Sequence, residues 1–246
     1  MLKKVLKSLG IFLLVAIIAL AAAPFLFKDK IKEMIAKTLN ENVNANIAFE
    51  DVDLSLFKSF PQAHVTIDKL SIINKTPFAG DTLLYAGETN VTMSVKELFK
   101  GEEETMSLDS FSAVDGIVNI IFNKDGVGNF DIALKEAEEK KPSDSEPFAL
   151  DIQKYGVENL KFTYLDEGSK MKMVLDSIYH EGKGNFAAQK LDLETKTTAK
   201  LSFEMEKMNY MNNVGITLDA VLGIDLEKSK YEFKDNKALI NQLPLE

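Results

Sequence analysis

From residue 41 to the end of the chain, hydrophobic and polar residues alternate with the period of two that is typical of β-strands. The clearest run carries apolar side chains on one face and largely polar residues between them. Turn-forming residues separate this run from its neighbours, so the pattern predicts a mainly β fold built as an antiparallel meander. The apolar positions of the clearest run are Ile216, Leu218, Leu222, Ile224 and Leu226.

The alternation changes phase inside some of the segments. Val65 and Ile67 occupy odd positions, whereas Leu70 and Ile72 occupy even ones, and residues 47–56 show the same slip. A slip of one residue in a continuing strand indicates a β-bulge, which bends and twists the sheet. The sequence therefore predicts a bent sheet.

Residues 8–27 form a run without any charged side chain, which as a helix would be about 30 Å long and would match a bilayer core. Residues 1–7 contain three lysines, so the positive-inside rule places this basic tip in the cytoplasm and the bulk of the chain across the membrane. The three alanines at 21–23 leave a cleaved signal peptide as the alternative. Pro24 and the apolar residues that continue the run favour an uncleaved, single-pass anchor.

The segment at residues 28–40 has apolar residues at helical spacing and lysines on the other faces. It predicts a short amphipathic helix beside the membrane, which either packs on the following domain or lies among the lipid headgroups.

Residues 134–147 are charged, contain proline and have almost nothing to bury. They predict an exposed linker between a first β-sheet segment, residues 41–133, and a second one, residues 148–246. A short helix is predicted within the first segment, at residues 95–99.

The composition excludes several classes of function. The net charge is -9, and all 29 basic residues are lysine, so nucleic acid binding and bidentate arginine clamps are not expected. The chain has no cysteine, which excludes disulfides, thiol nucleophiles and cysteine-ligated metals.

Motifs that carry catalytic or metal chemistry are nearly absent. His64 and His180 lie in separate segments, and a zinc site would need both of them together with carboxylates. Residues 182–187 match a loose dinucleotide fingerprint, but strand periodicity follows them, which favours a hairpin. Residues 123–131 resemble a calcium loop only faintly, because its glycine and final carboxylate are misplaced, and a turn is favoured. No cofactor is predicted, and the chain is not expected to be an enzyme.

Three stretches resemble a known protein family in their order along the chain. After the anchor and the amphipathic segment come NVNANIAFEDVDLSLFKSFPQAHVTIDKLSIIN, FAGDTLLYAGETNVTMSVKELFKG and VNIIFNKDGVGNFDI. Together they resemble the N-terminal part of the AsmA family of bacterial envelope proteins, in the form found in Bacteroidetes-type genomes. The resemblance continues more weakly through LKFTYLDEGSKMKMVLDSIYHEGKGNF. A tryptophan is common in the family where Phe130 stands.

The resemblance implies an open β-groove that is anchored in the inner membrane and lies in the periplasm, similar to the bridge-like lipid-transfer proteins. Such proteins support phospholipid transport to the outer membrane and its homeostasis, and they have no catalytic residues. Phospholipid acyl chains and other envelope proteins are the implied partners. The groove lining would then include the five apolar positions of residues 216–226. The alternative is a structural or assembly factor for outer-membrane protein biogenesis that carries no lipid.

Two further alternatives concern the architecture. The residues alone slightly favour a closed two-sheet sandwich, whose apolar face is simply core, whereas the resemblance favours the open groove. Residues 231–245 predict a C-terminal hairpin with a turn at 234–236 and an uncharged second arm. Because family members are longer and this arm has no stop signal, the sequence predicts that the native protein continues beyond Glu246 and that the cut edge self-associates.

Overall fold

The computed structural model describes residue 33 and residues 43–59, 61–99, 107–132, 152–185, 188–225, 227–228 and 230–245. Within these residues the protein is mainly β, as the alternation predicts. The predicted basic tip, membrane anchor and amphipathic helix (apart from residue 33) and the linker at 134–147 lie outside the described residues. The described part of the chain holds no helix with the length and hydropathy that a membrane crossing requires.

The described residues form a single sheet of eleven strands. The strands are β1 (Ala45–Ala48), β2 (Asp51–Ser59), β3 (Gln62–Asn74), β4 (Thr82–Ser94), β5 (Ser110–Phe122), β6 (Lys154–Asp166), β7 (Met171–Lys183), β8 (Lys190–Met205), β9 (Met208–Asp225), β10 (Lys230–Ile240) and β11 (Leu243–Leu245). Their spatial order is β1-β3-β4-β5-β6-β7-β8-β9-β10-β11, and β2 also pairs with β3. The two ends of this order do not pair with each other, so the sheet is open. A 3-10 helix, Val95–Phe99, follows β4 and confirms the short helix predicted there.

The predicted antiparallel meander is wrong at one position. All neighbouring strands are antiparallel except β5 and β6, which run parallel with Ser110 beside Lys154 and Phe122 beside Asp166. A parallel pair needs a connection long enough to return along the whole strand, and residues 123–153 provide it. The predicted linker at 134–147 falls inside this connection, and the strands before and after it are neighbours in one sheet.

A line of unusual backbone conformations crosses the middle of the sheet. Neighbouring pairs in the register place Lys69 opposite Gly87, Gly87 opposite Asp115, and Asp115 beside Asn159. A left-handed residue inside a strand disturbs the pleat and changes which side chains face each side. The change of phase predicted between residues 67 and 70 is therefore confirmed. The left-handed residues of this line are Lys69 (φ 52°), Asp115 (φ 53°), Asn159 (φ 53°) and Ser177 (φ 50°).

The edge strand beside β3 is interrupted next to the left-handed Lys69. β1 and β2 pair with β3 in one continuous register, Ala48 opposite Ser71 and Asp51 opposite Asp68, so they are two halves of one edge. Between the halves, the Glu50 N–H donates to the Asp68 carbonyl at 2.8 Å. This break accounts for the second predicted phase slip.

The loop that leaves β5 is fastened by one buried asparagine. Asn129 is 1% exposed. Its Oδ1 accepts a hydrogen bond from the Ile121 N–H at 2.9 Å, and its Nδ2 donates to the Asn119 carbonyl at 2.8 Å and to Asn74 Oδ1 at 3.3 Å. The Asn74 amide in turn donates to the Asn129 carbonyl at 2.7 Å. Asn129 therefore links the end of β5 to the end of β3.

The C-terminal turn predicted at 234–236 is wrong. β10 runs straight through this segment, with only a bulge between Phe233 and Asp235, and the chain turns at Asn241, which has a φ of 54°. The bulge is stabilised because the Lys234 ammonium passes over Gly223 to bind the Asp192 carboxylate. This partner is distant in sequence, so local turn propensity does not decide the conformation.

The main cluster of buried apolar side chains lies at the β2 end of the sheet. Its residues belong to β2, β3 and β4, and partly buried residues from the 3-10 helix and the segment before β5 pack against it. The cluster consists of Val52, Leu54, Leu56, Ala63, Val65, Ile67 and Met93.

Candidate functional site: an apolar face across the sheet

Register assigns each strand position to one of two faces, because directly paired residues on neighbouring strands point to the same side. One row of paired residues crosses eight strands, from β1 and β3 to β9, and contains only aliphatic and aromatic side chains. We call the side that carries this row the apolar face and the opposite side the polar face. The row consists of Ile47, Ile72, Leu84, Val118, Phe162, Leu175, Leu201 and Val214.

Every residue of this row is partly exposed. A parallel row beside it is also apolar, and its five residues are likewise neither fully buried nor fully exposed. A closed sandwich would bury such central rows completely. The second row consists of Ile120, Tyr164, Met173, Phe203 and Met211.

The polar face is organised by cross-strand charge pairing. Glu181 lies opposite Lys196, Lys196 opposite Asp219, and Asp219 opposite Lys237, so opposite charges alternate over four strands. Such pairs stabilise a solvent-facing surface modestly. Glu181, Lys196 and Asp219 also line two open depressions, the second of which extends to β5 and β6 and has a mixed polar and apolar lining. They present no assembled binding chemistry.

The two ends of the apolar face differ in burial, although Leu191, Leu193, Ala199 and Ala220 on β8 and β9 are also buried. Val52 on β2 is fully buried, whereas Tyr231 and Phe233 on β10 are 68% and 69% exposed. Within the described residues, no second sheet packs on this face. The apolar face is therefore covered at the β2 end and open at the β10 end.

Four of the five predicted groove residues lie together on the apolar face of β9. Ile216, Leu218, Leu222 and Ile224 are all partly exposed, and each is paired with a residue of β8 on one side and of β10 on the other. The fifth, Leu226, lies outside the described residues.

The eight-strand row is not part of the site that the sequence predicts. Parts of it were visible as alternation, as at Leu160, Phe162 and Tyr164, but local alternation does not show which strands are neighbours. The signal that could have joined them is the common phase slip, since Leu84, Val118 and Phe162 all lie on the same side of the left-handed line.

One polar cluster interrupts the apolar face. His180 Nε2 lies 2.9 Å from the Tyr155 hydroxyl, and His180 Nδ1 lies 2.8 Å from Thr197 Oγ1. The tyrosine and histidine rings are also in contact, with centroids 5.3 Å apart. Gly182 is required here, because a Cβ at this position would lie 2.2 Å from the Tyr155 ring.

Burial shifts the titration of this cluster. Desolvation lowers the pKa of His180 and raises the pKa of Tyr155, because both charged forms lose water. The ordinary pKa of histidine is 6.5. The unfolded chain therefore binds a proton at His180 more readily than the folded protein does.

We expect this difference in proton binding to make the folded protein less stable in mild acid. The contribution of neutral His180 to the free energy of unfolding is fully present above the pKa of this histidine in the unfolded chain, about 6.5. It is lost as the pH falls from there towards the lower pKa of His180 in the folded protein. Thermal unfolding at about pH 7.5 and pH 5.5 measures the effect. A His180→Gln variant should lose less stability over this interval, and an equal loss in both proteins would contradict the prediction.

The other candidate chemistry is not assembled. His64 lies on the polar face, where its Nε2 is 3.0 Å from Asn90 Oδ1, whereas His180 lies on the apolar face, so the two histidines do not share a site. The described residues contain no group of three potential metal ligands. Gly182 and Lys183 are the last residues of β7, and the next strand, β8, begins at Lys190 and pairs antiparallel with β7, as the hairpin interpretation predicts.

The segment that resembles a calcium loop is a turn. Asn123 Oδ1 accepts hydrogen bonds from the N–H groups of Asp125 and Val127, each at 2.9 Å. Gly126 supplies a φ of 77°. The Asn123 side-chain oxygen that a cation would need is thus engaged by the backbone.

Comparison of the chain with protein-family models, with curated proteins and with solved structures gives no match.

Proposed function

We propose that this chain is an inner-membrane-anchored envelope protein whose apolar face contacts phospholipid acyl chains. The observation that carries the proposal is the eight-strand row from Ile47 to Val214, which is apolar throughout and partly exposed throughout. An apolar surface of this extent on a soluble domain is typically covered by a partner or a ligand.

Several features of the row suit an acyl chain as the ligand. Neighbouring strands lie about 4.8 Å apart, so eight strands provide a continuous path of about 35 Å, longer than one extended acyl chain. The path has no charged side chain, and the charges of β7 to β10 are paired on the opposite face. The motif resemblance to AsmA proteins and the predicted anchor at residues 8–27 supply the cellular setting of the proposal.

Site-specific photocrosslinking in cells tests this function. A photoreactive phenylalanine analogue at Leu222 lies on the apolar face, and the same analogue at Val221 lies on the polar face of the same strand, next to Glu194 and Asp235. We expect a phospholipid adduct, identified by mass spectrometry of the purified full chain, at Leu222 and at most a trace at Val221.

The matched positions separate specific contact from general membrane proximity. Both are partly exposed and belong to the same strand. Equal labelling at the two positions, or no lipid adduct at Leu222, would contradict the proposal and would favour an assembly factor that carries no lipid.

A further inference from the structure

The outer edge of β10 is only partly paired within the described residues. β10 pairs with β9 along its whole length, but β11 covers only the positions from Ala238 to Ile240. Over residues 230–237 no other described strand pairs with this edge. A strand edge of this length presents unpaired backbone donors and acceptors, which bind another strand readily.

The same edge carries the most exposed aromatic residues of the described chain. Tyr231 and Phe233 lie on the apolar face of β10, opposite Ile224 and Leu222, and are 68% and 69% exposed. Exposed rings beside a free backbone edge are typical of a strand-pairing interface.

Two copies of this edge would bring opposite charges together at both ends of the pair. Lys230, Glu232 and Asp235 follow one another on the polar face, since Lys234 forms the bulge. In an antiparallel pair centred on Glu232, Lys230 of one copy lies opposite Asp235 of the other, and Tyr231 lies opposite Phe233. The two Glu232 side chains would lie opposite each other, and each Lys230, whose Nζ is 3.0 Å from its own Glu232 Oε2, would lie between that glutamate and Asp235 of the other copy.

We propose that β10 pairs with β10 of a second copy of this chain, antiparallel and about a twofold axis at Glu232. An identical edge on both subunits gives a closed, isologous interface. The four rings alone would bury on the order of 500 Å². The paired backbone and the flanking side-chain stems would raise the total towards the roughly 1,000 Å² of a specific interface.

The pairing would also join the two apolar faces. A twofold axis perpendicular to the sheet keeps both apolar faces on the same side, so the open ends of the two sheets meet. The inference rests on the edge, the rings and the charges of β10, and it holds whether or not the apolar face binds lipid.

Cysteine crosslinking of the full chain tests the interface. The chain contains no cysteine, so Glu232→Cys introduces a unique thiol. Directly opposite residues in an antiparallel pair have Cα atoms about 4.5–5.5 Å apart, within the range of a disulfide. We expect copper-phenanthroline oxidation of isolated membranes and of purified protein to convert most of this variant to a covalent dimer.

Lys172→Cys is the matched control, because Lys172 is also exposed but lies on the central strand β7. It should form at least about tenfold less dimer. Equal crosslinking of the two variants would overturn the proposal. Crosslinking of Glu232→Cys to a different protein, or no crosslinking at all, would also overturn it.

A second variant tests the same interface without a thiol. Phe233→Lys places a charge inside the proposed strand pair and should raise the dimer dissociation constant at least about tenfold. Tyr179→Lys, an exposed aromatic on β7, should leave it unchanged. Sedimentation of the full chain in detergent measures both, and a wild-type protein that is monomeric at high micromolar concentration would refute the dimer.

Discussion

We expect Asn129→Ala to lower the free energy of unfolding by about 3 kcal/mol. The substitution leaves one buried and two partly buried partners without these hydrogen bonds, namely Asn74 Oδ1, the Ile121 N–H and the Asn119 carbonyl. Asn129 is 1% exposed, so bulk water does not reach these groups directly. Chemical denaturation of the full chain measures the change.

Asn46→Ala is the matched control for this prediction. Asn46 is exposed on β1, and its replacement should change the free energy of unfolding by no more than about 0.5 kcal/mol. Similar losses at both positions would show that Asn129 does not fasten the loop. Asn129→Asp extends the test, since it is nearly isosteric but loses both amide donors and buries a carboxylate beside carbonyl oxygens.

Asn129 illustrates what the sequence alone could show. The DGVGNF motif predicts a turn, and the turn is confirmed, but the motif does not reveal that the asparagine reaches across to Asn74, a residue far away along the chain. Burial and partners are set by tertiary contacts. The sequence therefore predicts only that this asparagine is part of a turn, and it predicts no role for Asn129 in stability.

The strands themselves were predictable where their pattern is local. The alternation of residues 216–224 predicts one apolar face, and β9 has that face. The slip between residues 67 and 70 predicts a distortion, and Lys69 is left-handed there. The parallel pair β5–β6 was not predicted, because direction depends on the path of residues 123–153 and not on the pattern within either strand.

The candidate site was predictable only in part for the same reason. Alternation identifies the apolar side of each strand, whereas the eight-strand row exists only because neighbouring strands are in register. The degree of exposure, which separates an open face from a closed core, depends on what packs above the sheet. The anchor, the envelope location and the lipid cargo stay predictions.

Leu222→Asp is expected to reduce lipid contact strongly while the protein stays folded. Leu222 is partly exposed on β9, so an aspartate there can keep most of its hydration when no lipid is bound. An acyl chain on the apolar face would desolvate that carboxylate, which costs more than the 1.4 kcal/mol that corresponds to a tenfold loss of binding. With the photoreactive analogue at Ile224, phospholipid labelling should fall at least about tenfold.

Two comparisons make the result decisive between an open face and a closed core. Thr217→Asp on the polar face of β9 should leave both the labelling and the melting temperature unchanged, since its side chain points away from the apolar row. Val52→Asp, at a fully buried position, should unfold the protein or destabilise it by several kcal/mol. If Leu222→Asp behaves like Val52→Asp, the apolar face is a covered core and the lipid-contact proposal fails. If it behaves like Thr217→Asp in both readouts, acyl chains do not contact β9.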